Sequence, residues 1–448
     1  MKQNDFTQGP VLIPLLKFMI PVMFTLFLQT LYGAVDLWVV GRFSQPEEVA
    51  AVAAGSQMLQ LVTEIIANLS LGTTVLLGSL LGRRRMRLAG KAISTTLLSF
   101  MGVALFLTTL LLCGASLFSQ ALEVPEAALP STLSYVRICA AGLIFIVGYN
   151  VLGAIFRGTG NSMMPLYTVI IAAVCNIAGD LILVAVFGLG AAGAAIATIA
   201  SQGISVFLSY LLIRKAKLPI TIHKEDFHEL DRALIGKMIS IGAPVAAQNI
   251  LVGFSFLWIM SLVNPLGVAA SAGIGIAEKM CGFVMLVPMS FLQSMSAFIA
   301  QNVGARKMDR ANKALGYGIG VSLCFGIVLG GMAFFHGDIL SSFFTREPEV
   351  IRDAAAYIKA YGIDTFMTSF LFCFFGYYNG CQKTRFVMVQ GILGAIVFRV
   401  PLSWLLSRIQ PVSIFRIGLA NPLASIAQIM MCVAYFLHEK RRGFRDIV

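Results

Sequence analysis

Twelve long apolar runs, each bounded by charged or turn-forming residues, divide this 448-residue chain. Their approximate limits are 11–40, 49–81, 92–118, 132–156, 164–187, 190–213, 236–262, 266–302, 314–335, 353–380, 386–407 and 414–437. About 20 apolar residues cross a bilayer as a helix, and there the backbone must satisfy its own hydrogen bonds. Composition agrees, with 58% apolar and 12% charged residues against about 45–50% and about 25% in a soluble domain. An ordinary soluble enzyme, a disordered chain and a collagen-like fibre are excluded. The expected fold is an all-α membrane protein of twelve transmembrane helices. Several runs exceed the bilayer requirement, so tilt, kinks or extension into water are expected. The opening MKQNDFTQGP has none of the features of a secretory signal peptide.

The net charge of +12 invites a nucleic-acid reading until the basic residues are sorted by loop. With the N-terminus in the cytoplasm, 23 of the 33 Lys and Arg fall in inside segments, including Arg83, Arg84, Arg85, Arg87, Lys91, Arg306, Lys307 and Arg310. Only Arg42, Arg346, Arg352, Arg408 and Arg416 fall outside. This alternation is the positive-inside bias, so the charge encodes topology and no nucleic-acid partner is needed to explain it. Both termini of this multi-pass protein are expected in the cytoplasm. The eight Cys all lie in apolar stretches without a CxxC pair and read as small packing residues.

The two halves resemble each other. GRRRMRLAGKA from Gly82 and GARKMDRANKA from Gly304 align at an offset of 222, which also pairs Tyr135 with Tyr357 and Gly158 with Gly380. The offset is about 220 where LYGAVDLW (31–38) meets LVGFSFLW (251–258), and 226 where Gln202 meets Gln428. Each unit carries six spans, an even number, so both enter the membrane the same way round. The expected architecture is two parallel six-helix repeats about a central cavity, an arrangement that places transport sites between halves. We assign 1–213 to an N-lobe, 214–235 to a cytoplasmic linker and 236–448 to a C-lobe.

A carboxylate at mid-bilayer costs at least about 2.5–3.5 kcal/mol, so each one asks for a reason. Five acids lie within spans: Asp36, Glu64, Asp180, Glu278 and Asp364. Gln29, Tyr32 and Asp36 share a helix face, as do Asn176 and Asp180, and Thr198 sits among small residues that admit a close neighbour. Two carboxylates, an amide and a hydroxyl form an all-oxygen set suited to a hard cation or a shared proton. At the equivalent positions the second half has Phe256, Phe398, Leu402 and Ala424. That one-sided loss points to a coupling site in the N-lobe alone. Arg399 is expected to pair with Asp364 or Glu278, and Glu64 to sit near Arg137 or a helix end. Pro21, 15 residues before Asp36, kinks the first span as a static bend or a moving hinge. No Walker A loop, HExxH or CxxC pair supports ATP hydrolysis or zinc chemistry, and no catalytic residue or cofactor is expected.

LYGAVDLWVVGRF with Pro21, GSLLGRRR, FRGTGNSMMP (156–165), NIAGDLILV (176–184) and AQNVGARKMDRA (300–311) together resemble the multidrug and toxic compound extrusion (MATE) family over nearly the whole chain. The Asp36, Asn176, Asp180 and Thr198 set is similar to the N-lobe cation site of that family's prokaryotic DinF-like branch, where it would bind Na+ in a sodium-coupled member. The resemblance further implies that Gln29, Tyr32 and Asn150 line an N-lobe drug cavity. It implies an antiporter of the cell inner (plasma) membrane, not an enzyme, that exports organic, cationic or lipophilic compounds by alternating access, driven by Na+ or H+; the protein is expected to be a monomer with membrane lipid and its substrate as partners. The branch with C-lobe acids in spans seven and ten is matched poorly, since span seven has none. The alternatives are a flippase for a lipid-linked precursor, which would want a basic cavity, and a channel or receptor without coupled transport.

Overall fold

The computed structural model describes residues 5–121, 124–215, 220, 223–228 and 230–444; parts of the expected linker, 216–219, 221–222 and 229, lie outside them. The described residues are helical throughout, with no strand. The first half comprises α1 (Leu12–Phe43), α2 (Pro46–Gly82), α3 (Met86–Ala121), α4 (Leu129–Ala141), α5 (Leu143–Gly158), α6 (Met163–Asp180) and α7 (Gly190–Lys215). The second comprises α8 (Arg232–Val263), α9 (Val268–Gly304), α10 (Met308–Phe335), α11 (Gly337–Ser342), α12 (Pro348–Gly380), α13 (Thr384–Ile392), α14 (Val400–Ser407), α15 (Ile414–Gly418) and α16 (Ala420–Arg441). Among the described residues, eleven helices, counted through short irregular turns, are long and apolar enough to cross a membrane.

The twelfth crossing is where the structure departs from the expected straight span at 132–156. It is a pair, α4 and α5, bent by 52°. Gly142 ends α4 with its N–H on the Ile138 carbonyl, and the Phe145 N–H then bonds the Gly142 carbonyl. Glycine is needed there for space, since a Cβ at this position would run into the Ile199 side chain of α7. Two other spans are interrupted by π-helical turns, Leu181–Val186 directly after Asp180 and Leu393–Arg399 before α14. Such turns are rare and cluster at functional sites.

The chain forms two compact units. One comprises Asp5 with Ile20–Gly242, the other Phe6–Met19 with the chain from Ala243 onward. Relative to lobes at 1–213 and 236–448, the first unit extends to Gly242 and the second takes in Phe6–Met19. Both α1 and α8 therefore divide between units. The first unit is packed around Leu77, Ile93, Ile146 and Ile155, with a second cluster at Val39, Val40, Tyr135 and Ala194. The second unit has Ile259, Ile274, Tyr357 and Ile417 in its core.

The duplication is visible in backbone detail. The turns after α2, α5, α9 and α12 each place one residue in the left-handed region: Arg84 (φ 55°), Gly160 (φ 79°), Arg306 (φ 58°) and Gln382 (φ 60°). In each, the next N–H reaches back five residues, Arg85 to Leu80, Asn161 to Phe156, Lys307 to Asn302 and Lys383 to Tyr378. This is the Schellman closure of a helix C-terminus, repeated four times. The FRGTGN stretch thus owes Gly160 and Asn161 to a turn: Asn161 Oδ1 also accepts from the Met164 N–H at 3.1 Å, capping α6, while Gly158 packs where a Cβ would stand 2.9 Å from the Thr74 carbonyl of α2.

Within the second unit, the segment before α1 is strapped to the α9–α10 turn. Arg310 donates to the carbonyls of Gly9 (2.6 Å), Phe6 (2.9 Å) and Gln8 (3.1 Å), and Lys307 to that of Thr7 (2.8 Å). The Phe6 ring is buried against Phe18 and Phe298, with centroids 5.1 and 4.9 Å away. Within the first unit, Asp226 and Asp231, before α8, pair with Arg87 (2.6 Å) and Lys91 (3.0 Å) at the start of α3. Those hydrogen bonds hold both carboxyls below the ordinary carboxylate range.

The cysteines are all free, and Cys113 and Cys324 are exposed instead of buried packing residues.

Candidate functional site

Three helices of the first unit build the site. α6 and α7 approach closely at Gly179, where a Cβ would stand only 3.0 Å from the Ala197 methyl. Any larger side chain at Gly179 would push the helices apart. Asp180 and Thr198 follow those two contact residues in sequence, on the helices that this close approach holds together. α7 is fixed at its start by Glu48, which accepts from the Ala191 N–H at 2.6 Å and from Ser131 Oγ at 2.6 Å. A carboxylate there complements the helix dipole. Thr198 lies seven residues, two turns, further along α7.

α1 completes the set. Thr198 Oγ1 donates to Asp36 Oδ2 at 3.2 Å. Asp180 and Asn176 lie near Asp36 without a hydrogen bond to it. One turn away, Gln202 Nε2 donates to the Tyr32 hydroxyl at 3.1 Å. Asp36–Thr198 and Tyr32–Gln202 are thus successive rungs between α1 and α7. Asp36, Asn176, Asp180 and Thr198 are all buried, at 7%, 1%, 0% and 8% exposure.

The polar balance of this pocket is incomplete. Asp36 Oδ1, both Asp180 carboxylate oxygens and both Asn176 amide atoms are buried without a protein hydrogen-bond partner. Most buried polar atoms are paired, and an unpaired one costs about 1–3 kcal/mol, more if charged. Two adjacent carboxylates cannot both ionise cheaply without a cation or proton between them. The donor set is all oxygen plus one amide nitrogen, which fits a hard monovalent cation or a proton. No cluster of three His, Cys, Asp or Glu occurs among the described residues.

Of the three residues expected around a substrate cavity, Gln29 and Tyr32 each pair with a side chain of another helix and Asn150 bonds within its own. Gln29 Nε2 donates to the Tyr149 hydroxyl at 2.6 Å. Asn150 donates to its own helix at Ile146 O, 2.9 Å away. Tyr149 and Gln202 had no sequence signal beyond lying on the helices that face α1. Pro21 lies inside α1, where Thr25 Oγ1 bonds the Pro21 carbonyl at 2.8 Å. Glu64 is exposed and accepts from Gln60 at 3.1 Å, so it is not placed against Arg137. Glu278 is likewise exposed and away from Arg399.

A family model, MatE, matches residues 21–182 and again 244–405. The chain belongs to the MATE family. The two matches begin at Pro21 and Pro244 and reproduce the internal duplication. Among relatives, a probable multidrug resistance protein, YoeA, of Bacillus subtilis (strain 168) is 25% identical over 94% of this chain and 92% of its own length. A FAD transporter of Shewanella oneidensis is 26% identical over 88% of this chain and 87% of its own. A crystal structure of MATE in the straight conformation superposes with a TM-score of 0.90 at 19% identity, covering 99% of this chain and 98% of that one. The MATE fold, two lobes of membrane helices, is therefore that of this chain, a multi-pass transporter of the multidrug efflux family whose members handle small molecules.

Proposed function

We propose that this MATE transporter is a cation-coupled antiporter that exports organic, cationic or lipophilic compounds by alternating access. It works in the cell inner membrane with both termini cytoplasmic, as a monomer with lipid as its only other partner. The coupling residues are Asp36, Asn176, Asp180 and Thr198, as in the DinF-like branch, with Gln29 and Tyr32 facing substrate. The observation that carries the reading is the convergence of unpartnered buried oxygens on Asp36 and Asp180. Sodium or proton capture there supplies the missing charge, and α1 carries the event because Asp36 and Tyr32 are on the same helix as Pro21. Each elementary charge entering down the membrane potential yields about 2.3 kcal/mol per 100 mV. Substrate and cation then compete: Tyr32 lies one turn from Asp36, so closing α1 on the cation withdraws a substrate-facing side chain.

The test uses purified protein in sealed liposomes loaded with a fluorescent cationic drug, under an imposed sodium or proton gradient. Drug counterflow with one gradient, lost in Asp36→Asn and in Asp180→Asn, is the expected result and names the ion. Unimpaired counterflow in both variants overturns the coupling assignment.

A further inference from the structure

In the C-lobe, the repeat equivalents of the helices that build the N-lobe pocket carry a buried guanidinium, Arg399, and α12 beside them carries a buried carboxylate, Asp364. The N-lobe pocket is built by α1, the span ending in the Leu181–Val186 π-turn, and α7. Their repeat equivalents are α8, the span containing the Leu393–Arg399 π-turn, and α16. In the second half, Phe256 stands at the position of Asp36 and Ala424 at that of Thr198. A serine stands next to each of these two positions. Ser255, beside Phe256, accepts from Arg399 Nη1 at 2.9 Å. Ser425, beside Ala424, donates to Asp364 Oδ1 at 2.6 Å. The Arg399 guanidinium lies 4.4 Å from the Phe256 ring centroid, so the residue replacing Asp36 receives a cation through its ring face.

Arg399 and Asp364 are buried, at 6% and 2% exposure, and their charges lie within electrostatic reach without a direct ion pair. Arg399 Nε has no hydrogen-bond partner. A buried guanidinium and a buried carboxylate on neighbouring helices stabilise one another, and removing either leaves the other uncompensated. A diffusing cation approaching Asp364 meets a fixed positive charge.

We propose that Arg399 is a tethered substitute for the coupling cation, closing the C-lobe carboxylate Asp364 to exchangeable ions, so that the transporter carries its coupling cation in the N-lobe alone. This rests on the N-lobe coupling reading and sets its stoichiometry. It also defines Arg399 as the residue whose loss would open a second site of the same chemistry, a monovalent cation or proton held by Asp364, Ser425 and Ser255.

The test counts bound cations on purified protein, by radioactive sodium at alkaline pH and by proton uptake in weakly buffered solution. Wild type is expected to bind one cation, lost in Asp36→Asn. Arg399→Gln is expected to bind two, retaining one when combined with Asp36→Asn and losing it again when combined with Asp36→Asn and Asp364→Asn. A folded Arg399→Gln protein with the wild-type count overturns the proposal. If that variant does not fold, Arg399→Gln/Asp364→Asn, which removes both charges, is expected to fold and bind one cation. A double variant as unstable as the single one overturns it equally. Failure of the N-lobe assignment is a separate outcome, read as a cation count that Asp36→Asn leaves unchanged while Arg399→Gln still adds one.

Discussion

Pro21 and Pro244 are each the second residue after their helix passes from one compact unit to the other, after Met19 in α1 and after Gly242 in α8. A proline inside a helix removes a hydrogen bond and crowds the carbonyl four residues back, which makes that point the softest in the span. Both prolines also open the two family matches.

Alanine at either proline is expected to restore the helix ladder and stabilise the protein by up to about 3 kcal/mol. The same change should slow transport several-fold, because the stiffened span resists the change that alternating access needs. Thermal unfolding and drug counterflow in liposomes, measured on each variant, check both halves of this. A proline that only bends the helix statically would lose stability or nothing, with transport unchanged.

Glu48 holds α7 by its start, and α7 carries Thr198 and Gln202. Glu48→Ala should cost about 1–2 kcal/mol, the range for losing a carboxylate at a helix N-terminus. Cation affinity at Asp36 should fall with it as the Thr198 rung loosens. Comparing thermal unfolding with and without the coupling ion separates the two effects: the ion-dependent increment shrinks in the variant if α7 is the positioning element.

The Asp226–Arg87 tie gives a pH dependence with a definite sign. Hydrogen bonding from Arg87 lowers the Asp226 carboxyl below its ordinary value. The folded state thus binds its proton less readily than the unfolded chain, and the tie stabilises at every pH above about 3.9. It is lost as pH falls through the lower folded value. The stability difference between wild type and Asp226→Asn, followed by thermal unfolding from neutral to acid pH, should be constant to about pH 4 and then shrink. A difference that persists at lower pH would place the effect of Asp226 elsewhere.

The spans, the duplication and the N-lobe oxygen set were legible because each rests on a property that survives averaging. Hydropathy over 20 residues, charge bias over loops and residue identity at a fixed offset need no knowledge of partners. What escaped depends on single residues. Gly142 is one of 42 glycines in an apolar run, and hydropathy does not register that it breaks the span. The helix facing α1 presents Tyr149 to Gln29, and a shift of one residue along a helix turns a side chain by about 100°, so Asn150 points elsewhere. Arg399 and Asp364 were recognisable as buried charges, but only the fold shows Phe256 under the guanidinium and the two flanking serines. The exchange of Phe6–Met19 into the second unit has no sequence signature, because a chain crossing between lobes within one helix leaves hydropathy unchanged.

The strap on Phe6–Gly9 makes the amino terminus a mooring. With the carbonyls of Phe6, Gln8 and Gly9 tied to one guanidinium, and the Phe6 ring wedged behind them, the start of α1 is fastened within the second unit while the same helix carries Asp36 further along. A span fastened at both ends can transmit force along its length, and a fastening that slips turns the same motion into slack. On the proposed antiport reading, changes at Arg310, in the first turn of α10, would then weaken the link between ion capture and export, and the transporter would run down its gradient without moving cargo.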